Sequence, residues 1–195
     1  MAEQIRDGTG TGNLSKVDAT NRLHVFGTQL TTQQSATDRE DSFNLNSGTV
    51  AVAVSTEQGI LYLKNNEDRN LRITGVIGII GASTNGTETN IKMYKNPTTG
   101  TLISTGTAAD TNSNRNFGSS KTFTADVFKG DGSATVTNGT VHIESIVGLL
   151  TRVFFTLDEI LVKGDTTAIT FTIAGNDSST NCMAAIICHF EDPKD

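Results

Sequence analysis

The chain has no tryptophan, two tyrosines, two cysteines and two prolines in 195 residues. It also lacks any cluster of basic charge and any long apolar run. Each absence excludes something. Nucleic-acid binding draws its affinity from grouped Lys and Arg, and here 15 basic residues are scattered among 21 acidic ones, for a net charge of -6. A phosphate-binding role is therefore not expected. The most apolar stretch, Ile73 to Ile80, is far too short to cross a bilayer, so no membrane partner is expected. The start, Met1-Ala2-Glu3-Gln4-Ile5-Arg6, lacks the basic and apolar regions of a secretory signal, which predicts synthesis in, and first action from, a cytoplasm. Cys182 and Cys188 are separated by Met-Ala-Ala-Ile-Ile, with no turn residue between them. On one strand they stand about 20 Å apart, whereas a disulfide needs Cα atoms within about 7 Å. They read as small buried apolar side chains, and a metal site with His189 is disfavoured because neighbouring strand residues point to opposite faces.

What is present divides the chain in two. Residues 1–48 are polar, rich in Gly, Thr, Gln and Asn, with one apolar patch at Leu23-His24-Val25-Phe26. Asp7-Gly8-Thr9-Gly10-Thr11-Gly12 is a flexible tract, and Asn21 to Gln29 predicts one strand. Residues 30–47 are polar again, and Asp38-Arg39-Glu40-Asp41 reads as a solvated stretch. From Thr49 the period-two pattern of half-buried strands takes over, with no convincing helix. Strands are predicted at Thr49–Ser55, Ile60–Asn65, a third placing Leu71, Ile73, Ile77 and Ile79 on one face, Asn90–Lys95, Lys121–Phe128, Thr140–Ile146, Thr151–Thr156, Ile160–Val162, Ala168–Ile173 and Cys182–Phe190. Residues 104–119 read as a long exposed loop. Cys182–Phe190 is apolar on both faces, which belongs in the middle of a sheet or at a packed interface. Nineteen glycines punctuate the pattern with turns. The expected fold is all-β, a jelly-roll-like antiparallel β-sandwich over 49–195 with an extended N-terminal arm over 1–48. A β-helix is disfavoured because no short repeat is present.

No pattern rises to catalysis. Gly8-Thr9-Gly10-Thr11-Gly12 lacks the strand before it and the helix after it that a phosphate loop needs, and Lys16 is followed by Val. Gly130-Asp131-Gly132-Ser133 lacks the further carboxylates of a calcium loop. Nothing marks Glu144, Asp158 and Glu159 as a hydrolytic pair, and Asp158-Glu159 is expected to face water between two short strands. His24, His142 and His189 are scattered, each in a strand pattern. Asn13, Asn85, Asn138 and Asn176 begin glycosylation sequons, read without a secretory signal as turn-rich composition. Neither an enzyme activity nor a cofactor is expected.

Arg6-Asp7-Gly8-Thr9-Gly10-Thr11-Gly12, then Lys16-Val17-Asp18 and Asn21-Arg22-Leu23, resembles the opening of a group of tailed-bacteriophage virion proteins. Leu61-Tyr62-Leu63-Lys64-Asn65-Asn66-Glu67-Asp68-Arg69 and Tyr94-Lys95-Asn96-Pro97-Thr98-Thr99-Gly100 are similar too, and the close, from Ile160-Leu161-Val162-Lys163-Gly164-Asp165 to the terminal apolar strand, resembles the last strands of a phage jelly roll. These proteins include capsid decoration, or cement, proteins that sit as trimers on the outside of the head. The resemblance implies a virion protein assembled in a bacterial cytoplasm, with the major capsid protein and further copies of itself as partners. It implies a homotrimer through one face of the last strand, with Met183, Ala185, Ile187 and His189 at the interface. The arm would lie along the capsid, with Arg6, Lys16 and Arg22 as charge contacts and Leu23 and Val25 extending a capsid sheet. The competing expectation is a head-fibre or tail-appendage module that binds host-surface glycans, against which the scarcity of Trp and Tyr counts. An enzyme on a β scaffold ranks last.

Overall fold

The computed structural model describes residues 4–6, 14–17, 23–24, 31–52, 56–81, 88–109, 111–148, 150–164, 166–175 and 180–192. The chain divides into two units, Met1–Thr32 and Gln33–Asp195. In the first, β1 (Gln4–Arg6), β2 (Leu14–Val17) and β3 (Leu23–His24) pair antiparallel in that order. Gln4 stands opposite Lys16, Arg6 opposite Leu14, and Lys16 opposite His24. The tract read as flexible, residues 7–12, lies outside the described residues.

The second unit begins with α1 (Thr32–Asp38), followed by β4 (Ser42–Asn46), β5 (Val50–Val52), β6 (Gln58–Asn65), β7 (Leu71–Ile80) and β8 (Glu88–Lys95). Then come α2 (Thr101–Ser104), β9 (Thr107–Ala108), β10 (Thr111–Asn114), β11 (Asp126–Lys129), β12 (Thr140–Gly148), β13 (Arg152–Leu161), β14 (Thr167–Gly175) and β15 (Thr180–Phe190). They make two six-stranded antiparallel sheets packed as a sandwich. Sheet I runs β10-β4-β15-β7-β13, with β5 pairing the start of β15, and sheet II runs β12-β8-β14-β6-β11-β9. The expected all-β sandwich is therefore present, and β15 lies in the middle of its sheet, one of the two places where a strand apolar on both faces belongs.

Alternation builds the core. Leu61, Leu63, Ile91, Met93, Ile169, Phe171 and Ile173 from sheet II meet Phe43, Leu45, Ile73, Val76, Ala184, Ile186 and Cys188 from sheet I. A smaller cluster forms where α2 and Ala134 cover Tyr62 and Ala168, with the Tyr62 and Phe128 rings stacked at 6.0 Å.

Four readings are corrected. Strand β4, with Phe43 and Leu45 in the core, lies inside the stretch assigned to the arm. The loop expected over 104–119 holds β9 and β10, and β10 has no apolar residue because it joins the sheet through its backbone ladder to β4. Strand β13 is continuous where two strands were expected: its burial alternates unbroken from Arg152 to Leu161, and the charged Asp158-Glu159 falls within the strand where it reads as a break between two. An irregularity in β7 puts Leu71, Ile73, Val76 and Ile80 inward and leaves Ile77 and Ile79 on the outer face. One extra residue in a strand inverts every side chain beyond it. Gly75 sits at this irregularity, and a Cβ there would meet the Phe154 ring at 3.0 Å.

A candidate interaction edge

Strands β12 and β13 are the edge strands of their sheets on the same side of the sandwich, and among the described residues each is paired along one side only. The large apolar side chains exposed among those residues are Phe117, Val141, Ile146, Leu150, Phe154, Ile160 and Val162. All but Phe117 fall within this hairpin-like segment and its immediate continuation. Leu150 is 77% exposed and Ile146 66%. Single exposed apolar residues are ordinary; a run of them along one edge marks an interaction surface.

The local geometry explains the display. In β12, Ile143 and Val147 turn to the core and Ile146 turns out. In β13, Val153, Phe155 and Leu157 pack inward while Phe154, 51% exposed, points out over Gly75. Leu150, between the strands, has φ +57°, a left-handed conformation that a branched side chain rarely adopts. Both edges carry a bulge, at Val141/Ile143 and at Thr156/Glu159. Bulges blunt an edge against open-ended strand pairing, so this edge presents side chains rather than a backbone ladder.

Polar groups tie the two edges together. His142 Nε2 lies 3.0 Å from Glu159 Oε1. Behind this pair a cavity of about 90 Å³ is lined by His142, Glu159, Ile160, Leu161, Ala168 and Ile169, among others. Asp158, its side chain 80% exposed, pairs with Arg72, which also binds Glu191 Oε1 through Nη2 at 2.6 Å. Asp158 and Glu159 do face water, each with a basic partner. Nothing in this arrangement offers a nucleophile beside a base, and no group of three His, Cys, Asp or Glu side chains among the described residues is placed to hold a metal ion.

A second cluster lies near the end of β15. Asp41, in the stretch read as solvated, is buried and accepts from Arg69 Nη1 at 3.2 Å and Nη2 at 2.7 Å, and from Lys121 Nζ. Arg69 also donates to the Glu191 carbonyl at 2.8 Å and stands 5.3 Å from the centre of the Phe190 ring. This clasp is structural, joining β4, the turn before β7, the segment after β10 and the chain beyond β15.

The residues named from sequence fall as follows. Met183, Ala185 and Ile187 share the outer face of β15 and are half-buried. His189 is on the same alternation but fully buried, and neither ring nitrogen has a hydrogen-bond partner among the described residues. Arg6, Lys16 and Leu23 lie on β1, β2 and β3, while Arg22 and Val25 lie outside the described residues. Cys182 and Cys188 are free and buried; burial pushes the Cys182 thiol up to about 11 and Cys188 higher still. The β12–β13 edge was missed by sequence reading. Its signal was β13, which carries apolar residues on both faces in Val153-Phe154-Phe155 and Ile160-Leu161-Val162.

His189 makes a pH prediction. Burial, then the positive charge of Arg72, lowers its pKa from 6.5 against a raising effect of Glu191, with Arg39 and Arg115 also lowering it. A folded-state pKa below the unfolded one means that the unfolded chain binds the proton first. Stability is thus full above 6.5 and declines as pH falls from there toward the folded value. Urea unfolding at pH 7.5 and 5.5 is expected to show a larger loss for the native chain than for His189→Leu. Equal losses would refute the assignment.

No protein-family model and no curated protein sequence matches the chain. Among solved structures it is similar to the Yersinia pseudotuberculosis-derived mitogen, with TM-score 0.32 and 8% identity over 78% of this chain and 89% of that one. It is also similar to a chain of infectious bursal disease virus, Gx strain, with TM-score 0.25 and 12% identity over 100% of this chain and 39% of that one. For the VP2 subviral particle of infectious bursal disease virus the values are 0.23 and 10%, over 98% and 43%. These are distant similarities among β-rich folds, and at such scores they carry no functional argument.

Proposed function

We propose that the protein is a capsid decoration protein, a homotrimer on the outer surface of a bacteriophage head that stabilises the lattice of the major capsid protein. The observation that carries this reading is the concentration of exposed apolar side chains along the β12–β13 edge of a sandwich with a separate N-terminal unit. An edge of that kind suits repeated contact between copies more than turnover of a small molecule. The likeness of the opening and closing strings to tailed-phage virion proteins supports the choice of the head as the site of assembly.

The mechanism is multivalent attachment. Association costs translational and rotational freedom that a small contact offsets only in part, so one N-terminal unit holds weakly. Joining copies raises the effective concentration of the second and third attachments, and avidity exceeds single-site affinity by about 10²–10⁴. Arg6, Lys16, Arg22, Leu23 and Val25 are the proposed capsid contacts.

The test is co-sedimentation with heads that lack the protein, counting copies at saturation. A count matching sites spread over the whole lattice is expected, and deletion of residues 1–20 is expected to cut binding at least hundredfold, the lower end of the avidity gain, with the sandwich still folded. Undiminished binding of the truncated chain would overturn the attachment mechanism. No binding of the intact chain, combined with binding to a glycan array, would replace the proposal with the appendage reading.

A further inference from the structure

We propose that copies of this chain meet head-to-tail, the Phe117 loop of one against the β12–β13 edge of the next, closing a ring about an axis that runs along the strands. The proposal rests on the assembly reading above but not on the capsid as partner.

Phe117 is 97% exposed, yet its loop is stitched in place. Asn114 Oδ1 accepts from Asn116 N at 2.9 Å, Asn116 Oδ1 from Gly118 N at 3.1 Å, and Ser119 Oγ from Lys121 N at 3.0 Å. The Asn116 carbonyl accepts from Ser119 N at 2.9 Å, and Asn114 Nδ2 donates to the Glu40 carbonyl at 2.7 Å. A phenyl ring held in water on an ordered loop is a pre-organised anchor, since little entropy remains to be lost on docking.

The sheet ladder sets the loop level with its proposed receptor. Across sheet I, Asn114 pairs with Phe43, Phe43 with Cys188, Cys188 with Ile73, and Ile73 with Glu159. One row further on, Arg115 N donates to the Ser42 carbonyl, Ser42 pairs with His189, His189 with Arg72, and Arg72 with Ile160. The Phe117 loop therefore leaves one edge of the sheet at the height where Asp158, Glu159, Ile160 and Val162 are displayed on the other. Rotation about an axis along the strands preserves height, so it carries the loop of one copy to the edge of its neighbour.

Charge agrees with that pairing. Between Thr111 and Ala125 the charged residues are Arg115 and Lys121, both basic, Lys121 already bound to Asp41, while the opposite edge at this level presents the Asp158 and Glu159 carboxylates, partly exposed although paired with Arg72 and His142. The two surfaces are unlike: a ring on a basic loop, and an apolar strip with an acidic rim. Contact between unlike surfaces is heterologous, and such contacts form a ring when the rotation closes and an open filament when it does not; a purely rotational step about the strand axis is the closing case. An isologous pair about an axis along the strands would instead set each edge against its own copy at the same height, carboxylate facing carboxylate.

The experiment uses the full chain and disulfide trapping. Phe117→Cys and Ile160→Cys are made singly and together, oxidised mildly, and examined on non-reducing gels; Cys182 and Cys188 are buried and do not take part. The double variant is expected to give covalent oligomers ending at a closed ring, the single variants monomers, and the two single variants co-expressed a covalent dimer. Phe117→Ser, with unchanged circular dichroism, is expected to weaken self-association at least tenfold by sedimentation. An unlinked double variant, self-linking of Ile160→Cys alone, or undiminished association of Phe117→Ser would each overturn the proposal. Heads do not enter these measurements. A ring that forms while heads go unbound removes the capsid reading alone, and heads decorated by unlinked monomers remove this one alone.

Discussion

Phe43→Ala is expected to lower the free energy of unfolding by about 3–5 kcal/mol. The ring is fully buried, edge-on to Phe123 at 5.2 Å and to Phe190 at 6.2 Å, and those two stack on each other at 5.7 Å. Truncation removes the transfer energy of the side chain, leaves a cavity, and dissolves a three-ring cluster whose pairs each add about 0.5–1.5 kcal/mol beyond area. Strand β4 is fixed between β10 and β15, so the backbone has little freedom to collapse into the space. Domains are stable by about 5–15 kcal/mol, so this one change removes a large share. The control is Asn44→Ala, one position along and exposed, expected to stay within about 0.5 kcal/mol. Denaturant unfolding followed by circular dichroism measures both. If the two variants behaved alike, β4 would belong to a loose arm and not to the sandwich.

That comparison bears on what was legible in the sequence. Strands β6, β14 and β15 were readable because each buries enough apolar residues at period two to outweigh turn composition. Strand β4 has the same alternation in Phe43 and Leu45 but only five residues, with polar Ser42, Asn44 and Asn46 between and beside them. Strand β10, Thr-Asn-Ser-Asn, carries no apolar signal at all. Helix α1 buries Ala36 alone, too little for an amphipathic stripe. The irregularity in β7 is invisible to a period count, which puts Ile77 and Ile79 with Ile73.

The interaction edge was hidden for a related reason. Alternation says which residues share a face, not which face is covered. A strand apolar on both sides belongs to a sheet centre or an interface, and that rule was applied to β15, where the centre accounts for it. Applied to β13, which the topology puts at an edge, it leaves the interface. Only the sheet order separates the two cases.

Asp41→Ala is expected to cost about 2–3 kcal/mol at neutral pH, below the range for a fully buried ion pair because the partners it leaves behind, Arg69 and Lys121, are 22% and 44% exposed. The substitution leaves Arg69 and Lys121 facing each other without the carboxylate that both bind. It also loosens Arg69, whose Nε and Nη2 hold the Glu191 carbonyl at 3.1 and 2.8 Å beyond the end of β15. Asp41→Asn keeps an acceptor but not the charge, and is expected to lose less. Burial alone would raise the carboxyl pKa; hydrogen bonds and charge from Arg69 and Lys121 outweigh it, and the folded-state value lies below 3.8. Between the two values the unfolded chain binds the proton and the folded chain does not. The contribution is therefore fully present above 3.8 and is lost as pH falls through the folded value. The stability gap between native chain and Asp41→Ala should then be constant from pH 7 to about 5 and narrow on further acidification. A gap below about 1 kcal/mol at pH 7, the worth of an exposed pair, would show the clasp to be a surface decoration of the fold, and a gap that did not narrow in acid would show that its energy comes from packing and not from the charge.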